Sequence, residues 1–288
     1  MLTSFLLLLM IWIAYAVWFR QGQERLLLRP DPRPLVLADA GMADFRSVWV
    51  QNADGLSLEG WHRPADGFTK PTVLILNGRR RHPGAHAPLA RLLADAGFGV
   101  LLAGLRGQAG NPGQGGEAAW MADARTWADH LVGQGISGGR LILYGEETGA
   151  YLAATLAAER AVARLILEAP FPSLPDLLGS RLPLLPLHAL LRHRFEIKAA
   201  LPQVQAPVLI LHAGADKGVP VALGQRLDGL LSPPPRVFRP AGAPVEGLLG
   251  AGGGEVLLAF LEGGAGVVPP PTLDQEKPAG GRALVVRG

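Results

Sequence analysis

The chain has 288 residues, 49% of them apolar, with 27 Lys or Arg against 24 Asp or Glu for a net charge of +3. That supplies one sizeable core, while the basic residues bunch only at Arg79-Arg80-Arg81 and around Arg192-His193-Arg194, which is not the basic face of a nucleic-acid-binding protein. Without cysteine there is no disulfide, thiolate metal site or cysteine nucleophile, and no His and carboxylate spacing marks a metal centre.

From Leu2 to Phe19 the chain is almost unbroken apolar sequence, long enough to cross a bilayer core at about 1.5 Å per residue. Trp12, Tyr15, Trp18 and Phe19 crowd its far end as interfacial aromatics do. Ala14-Tyr15-Ala16 resembles a signal-peptide cleavage site, but no Lys or Arg precedes the run, so an uncleaved anchor over residues 1–20 is the expectation. Arg20, Arg25, Arg29 and Arg33 follow it and place the folded domain on the cytoplasmic side of a membrane, the one partner this chain names. Pro30, Pro32 and Pro34 then break helix, so residues 21–44 read as a stalk.

Phe45–Val50 and Leu56–Trp61 are strand candidates joined by Asn52-Ala53-Asp54-Gly55, a hairpin signal. Thr72–Leu76 is a continuous apolar run of the kind buried on both faces of a sheet. Helical patterns at Pro88–Ala96, Glu117–Val132 and Thr148–Arg160 then alternate with strand runs at Gly99–Ala103, Leu141–Tyr144, Leu165–Leu167 and Val208–Leu211. Arg236–Phe238 completes about eight strands and Glu255–Leu261 closes the domain. The alternation predicts an α/β fold with a mostly parallel sheet between helices. Phe171–Leu201, with four prolines among leucines, reads as a small lid or equally as a plain structural excursion, and the Gly- and Pro-rich residues 263–288 as a disordered tail.

The stretch Leu141–Leu152 organises the domain. An apolar strand enters a turn flanked by Gly145 and Gly149, and an Ala-rich helix leaves it, the setting in which G-x-S-x-G lifts a nucleophile above a sheet. The raised position here is Glu147, and the turn holds no serine.

In this order the chain resembles the α/β-hydrolases, and among them the membrane-anchored serine hydrolases of the Bem46/ABHD13-like group. The resemblance rests on Gly60-Trp61-His62-Arg63-Pro64, Asn77-Gly78, Leu105-Arg106-Gly107, the elbow, Glu168-Ala169-Pro170-Phe171, and Pro207–His212 leading to Asp216. It implies a triad of Ser, acid and His in chain order. The acid position falls on Asp216, the nucleophile position on Glu147 and the histidine position on Val245, so two of three are lost. The resemblance also implies an oxyanion hole from backbone N–H groups near Gly78 and Thr148, with Arg79, Arg80 and Arg81 where small residues are expected. The family's Asp before the Arg106-Gly107 pair is absent.

Glu147 is also a candidate carboxylate nucleophile, but the second step of that chemistry needs a histidine. His82, His86 and His212 lie near the same edge as possible replacements, while His62, His188 and His193 carry no assigned role. The Gly107–Gly116 run lacks the G-x-G-x-x-G spacing of a dinucleotide loop, and no cofactor is implied. The expectation is therefore a membrane-anchored, catalytically degenerate hydrolase, with Glu147 paired to one of the arginines and plugging the former site. The alternative is a hydrolase of esters, amides or peptides with a non-standard nucleophile or a displaced histidine.

Overall fold

The structure is a computed structural model in which residues 2–28, 30–67, 69–179, 182 and 185–263 are described. The elements, in chain order, are α1 (Leu2–Leu27), β1 (Arg46–Gln51), β2 (Ser57–Arg63), β3 (Thr72–Leu76), α2 (Ala87–Asp95), β4 (Gly99–Leu102), α3 (Glu117–Gly133) and β5 (Gly138–Glu146). They continue with α4 (Thr148–Glu159), β6 (Val162–Glu168), α5 (Leu174–Gly179), α6 (Leu187–Leu190), β7 (Val208–Leu211), α7 (Val221–Gln225), β8 (Arg236–Phe238) and α8 (Gly254–Leu261).

The strands form one eight-stranded sheet in the order β1-β2-β4-β3-β5-β6-β7-β8. The β1–β2 and β2–β4 pairs are antiparallel and all others parallel. Asn52 accepts at Oδ1 from the N–H groups of Asp54 and Leu56 and so shapes the opening hairpin turn.

The apolar runs divide by their period of two. Leu74, Leu76, Leu141, Leu143, Leu165 and Leu167 face one way, into a core shared with α3, α4 and the segment around α5 and α6. Val73, Ile75, Ile142, Tyr144, Ile166 and Leu209 face the other way, into a core shared with α2 and α8. Helices cover both faces of the parallel region, which is why its strands read as unbroken apolar sequence.

The register fixes the active edge. Leu76 pairs with Gly145, Glu146 with Glu168, and Glu168 with Leu211, so the carboxyl ends of four strands finish side by side.

The amino terminus departs from expectation. α1 is one helix of 26 residues, and residues 21–27, expected as stalk, are its last turns. Phe19, Gln23 and Leu27 are buried against the domain, whereas every described side chain from Thr3 to Tyr15 is exposed. Among the described residues no helix is long and apolar enough to cross a membrane, so the spanning anchor expected over residues 1–20 does not come out of the structure. The last turns of α1 dock on the domain, where Arg20, Gln23 and Glu24 hydrogen-bond it. The tail expected at 263–288 lies, from residue 264 onward, outside the described residues.

Candidate active site

Gly145 and Gly149 are required by close approach. A Cβ on Gly145 would collide with the carbonyl oxygen of Gly149, and one on Gly149 with that of Leu76. With both absent, α4 leaves β5 in direct backbone contact with β3. The turn between them holds Glu147 at φ 53° and ψ −111°, a conformation non-glycine residues rarely take, and raises its side chain above the sheet edge.

Two carboxylates meet two arginines there. Glu147 accepts at Oε2 from the backbone N–H of Arg79 at 3.1 Å, and its Oε1 lies 3.0 Å from Arg79 Nη2. Both side chains are largely enclosed, Arg79 at 4% and Glu147 at 17% exposure. Burial pushes the Glu147 pKa up while the Arg79 charge pulls it back. Arg79 also donates from Nη1 to the carbonyl of Leu27 at the end of α1, at 2.6 Å. Beside this pair, Glu146 accepts from Arg81 Nη1 at 2.5 Å and lies 3.2 Å from His86 Nε2. Burial pushes the Glu146 pKa up, but His86 and Arg81 outweigh it and hold it down at about 2.

Across the sheet, Glu168 accepts from the Tyr144 hydroxyl, and burial together with the Glu146 charge pushes the Glu168 pKa up. The two facing carboxylates thus divide into one that is charged and one that tends to keep its proton.

The remaining expected residues come to the same place. A cavity of about 610 Å³ is lined by Gly78, the three arginines, Glu146, Glu147, Asp216 and Val245, among others. Asp216, in the loop after β7, accepts at Oδ1 from the N–H groups of Gly218 and Val219, at 2.7 and 2.9 Å. Val245 opens a short 3-10 turn and packs towards the α2 and α8 core. Thr148 begins α4, is fully buried, and its hydroxyl has no hydrogen-bond partner among the described residues.

Of the backbone donors expected for an oxyanion hole, those at and beside Gly78 face the chain's own carboxylates. The Arg79 N–H is held by Glu147, and the Gly78 N–H points at Glu146 Oε2, 3.4 Å away. Of the three arginines, Arg79 and Arg81 are ion-paired and Arg80 is exposed at the mouth.

The histidines lie elsewhere. Among the described residues none lines the cavity. His82 sits 2.8 Å from the Arg33 carbonyl through Nε2 and accepts from the Gly84 N–H, capping a turn. His212 is fully buried against the Val219 carbonyl at 2.8 Å. His86 is separated from the cavity by Glu146, its contact. Nor does the segment expected as a lid contribute: among the described residues none from 170 to 201 lines the cavity. Its leucines join the core over α3 and α4 instead.

Arg106 finds its carboxylate partner on α3. Asp123, fully buried, accepts from the backbone N–H, Nε and Nη2 of Arg106 and from Asn52. Among the described residues no group of three His, Asp or Glu could hold a metal ion.

Comparison with known proteins agrees with this fold. Residues 68–193 match the family model described as serine aminopeptidase, S33. The uncharacterized protein Rv2307c of Mycobacterium tuberculosis is 36% identical over 222 residues, covering 76% of this chain and 78% of that one. This chain belongs to the α/β-hydrolase superfamily. Its resemblance within the α/β-hydrolases extends to the α/β-hydrolase domain-containing protein WAV2 of Arabidopsis thaliana, 25% identical over 194 residues, 61% of this chain and 63% of that protein. The Pyrococcus furiosus esterase Pf2001 shares the fold with a TM-score of 0.66 at 19% identity, over 81% of this chain and 96% of that structure.

Proposed function

We propose that this α/β-hydrolase is catalytically silent, a relative of the Bem46/ABHD13-like serine hydrolases retained for binding or scaffolding. The observation that carries the reading is the Glu147 carboxylate, held by the Arg79 guanidinium and the Arg79 N–H on the elbow. It stands where a serine would attack and occupies a backbone donor that an oxyanion would need. Asp216 has no imidazole to orient, because Val245 fills the histidine position.

The carboxylate-nucleophile alternative needs a base to activate water against an ester intermediate. Glu146, with its pKa held near 2, is a weak base, and His86 lies behind it. The exposed apolar side chains from Leu6 to Trp18 on α1 support a seat at a membrane surface, with the domain on the cytoplasmic side.

The test is p-nitrophenyl butyrate hydrolysis by the full chain in detergent, since α1 packs on the domain. The wild type is expected to be silent, and a Glu147→Ser/Val245→His variant to gain turnover. Wild-type turnover with a burst phase, lost in Glu147→Ala, would overturn the proposal.

A further inference from the structure

The same arginine that holds Glu147 also holds the end of α1, and this joins two parts of the molecule 52 residues apart in sequence. The last carbonyls of a helix have no partner within it and carry the negative end of its dipole, so a guanidinium is a favourable cap. Arg79 meets that need through Nη1 on Leu27 O, and uses Nη2 and its backbone N–H on Glu147. A guanidinium is planar and rigid, so a shift of the Leu27 carbonyl moves the nitrogen that Glu147 contacts.

α1 docks through its last turns, where Arg20 donates to the Ala189 and Leu190 carbonyls and Glu24 accepts from Gln114 and lies 3.4 Å from His193. Gln23, 1% exposed, accepts from the Arg192 N–H at 2.8 Å and donates to the Leu190 carbonyl at 3.3 Å, and Phe19 and Leu27 enter the core. Beyond this short footing lies the exposed apolar length of the helix, a lever arm on which a lipid surface can pull.

We infer that docked α1 is a clamp on the cavity: its Leu27 carbonyl seats Arg79, Arg79 seats Glu147, and undocking α1 releases the carboxylate and opens the site. This rests on the plug described above and adds its regulation. Linkage makes the coupling reciprocal, so loosening Glu147 must loosen the end of α1.

Hydrogen exchange on the full chain in detergent tests it. A Phe19→Ala/Gln23→Ala variant, which weakens the docking, is expected to speed exchange of the Arg79 amide about tenfold. Glu147→Gln, at the other end of the chain of contacts and away from α1, is expected to speed exchange over the last turn of α1 severalfold. If α1 undocks while the Arg79 amide keeps wild-type protection, or if Glu147→Gln leaves that turn unchanged, the clamp is refuted. The Glu147→Gln arm decides the matter even where the docking variant fails to fold. Ester turnover measured on the same samples separates the two proposals, because wild-type activity defeats silence without touching the exchange coupling, and uncoupled exchange defeats the clamp while leaving the site silent.

Discussion

Replacing Arg79 by methionine removes the cation from the Glu147 carboxylate while keeping most of the buried aliphatic stem. Breaking a buried ion pair by deleting one partner costs about 3–5 kcal/mol, because the other charge stays enclosed. Glu147 is 17% exposed and opens on the cavity, so the loss is expected at the lower end, about 3 kcal/mol at pH 8.

The cost is pH-dependent, and its sign follows from the raised Glu147 pKa. A folded-state value above the unfolded one means the native protein binds the proton more readily, so stability falls as pH rises through the raised value. Removing Arg79 raises that value further, and Arg79→Met therefore costs less at pH 5 than at pH 8. The double variant Arg79→Met/Glu147→Leu removes both charges together and leaves only the Leu27 carbonyl without its donor, so it is expected to cost about 1–2 kcal/mol, less than Arg79→Met alone. The assay is urea unfolding followed by fluorescence of the buried Trp61, Trp120 and Trp127. Arg79→Met within about 0.5 kcal/mol of wild type at pH 8, the range of ordinary surface changes, would refute the pairing, as would a Glu147→Ala variant clearly more stable than wild type.

Two further outcomes follow from the neighbouring charges. Glu146 is held from the ordinary 4.5 down to about 2, so its contribution, on the order of 3 kcal/mol, is present above the ordinary value and lost as pH falls from 4.5 towards 2. Arg81→Met is expected to flatten that acid limb in melts between pH 5 and pH 3, and an unchanged limb would show that Arg81 does not set the Glu146 pKa. Asp123→Asn takes the buried carboxylate from Arg106 and leaves it only the exposed Asp54, 2.7 Å away, so it is expected to cost about 3 kcal/mol by urea unfolding, the lower end for a broken buried pair, against near-neutrality if Asp54 alone sufficed.

The parallel strands β3 to β7 were legible because each carries a continuous apolar run of the length a two-faced sheet buries, and β1 and β2 through the hairpin turn between them. The elbow was legible because glycines four apart, between a strand and a helix, leave few other geometries. The meeting of Gly78, Asp216 and Val245 with Glu147 around one cavity follows from the order of the elements, since each lies just past a strand's carboxyl end. What could not be read depends on register between distant segments. Glu146 faces Glu168 only through the β5–β6 pairing, and His86 reaches Glu146 from a loop 60 residues earlier. Arg106 meets Asp123 through the rotation of α3, which the sequence does not number. The end of the apolar run at Phe19 put the helix boundary too early, because Gln21–Arg25 is polar yet contains good helix formers and a docking face.

A strained turn without a nucleophile poses its own energetic problem. Glu147 keeps a positive φ that costs on the order of 1–3 kcal/mol in a non-glycine residue. Nothing in the chemistry of an elbow without serine requires that strain; the close approach at Gly145 and Gly149 and the Glu147 N–H donating to the Glu168 carbonyl at 3.0 Å hold the backbone there, while Arg79 holds the side chain. Comparing Glu147→Ala with Glu147→Gly separates the two terms. Both remove the carboxylate, but only glycine accepts the backbone conformation freely, so the glycine variant is expected to be the more stable by about 1 kcal/mol. Equal stabilities would mean that the turn relaxes once the carboxylate is gone. In that case the Arg79 pair would create the strain rather than offset it, and the turn seen here would be a product of the plug and not an inheritance of the fold.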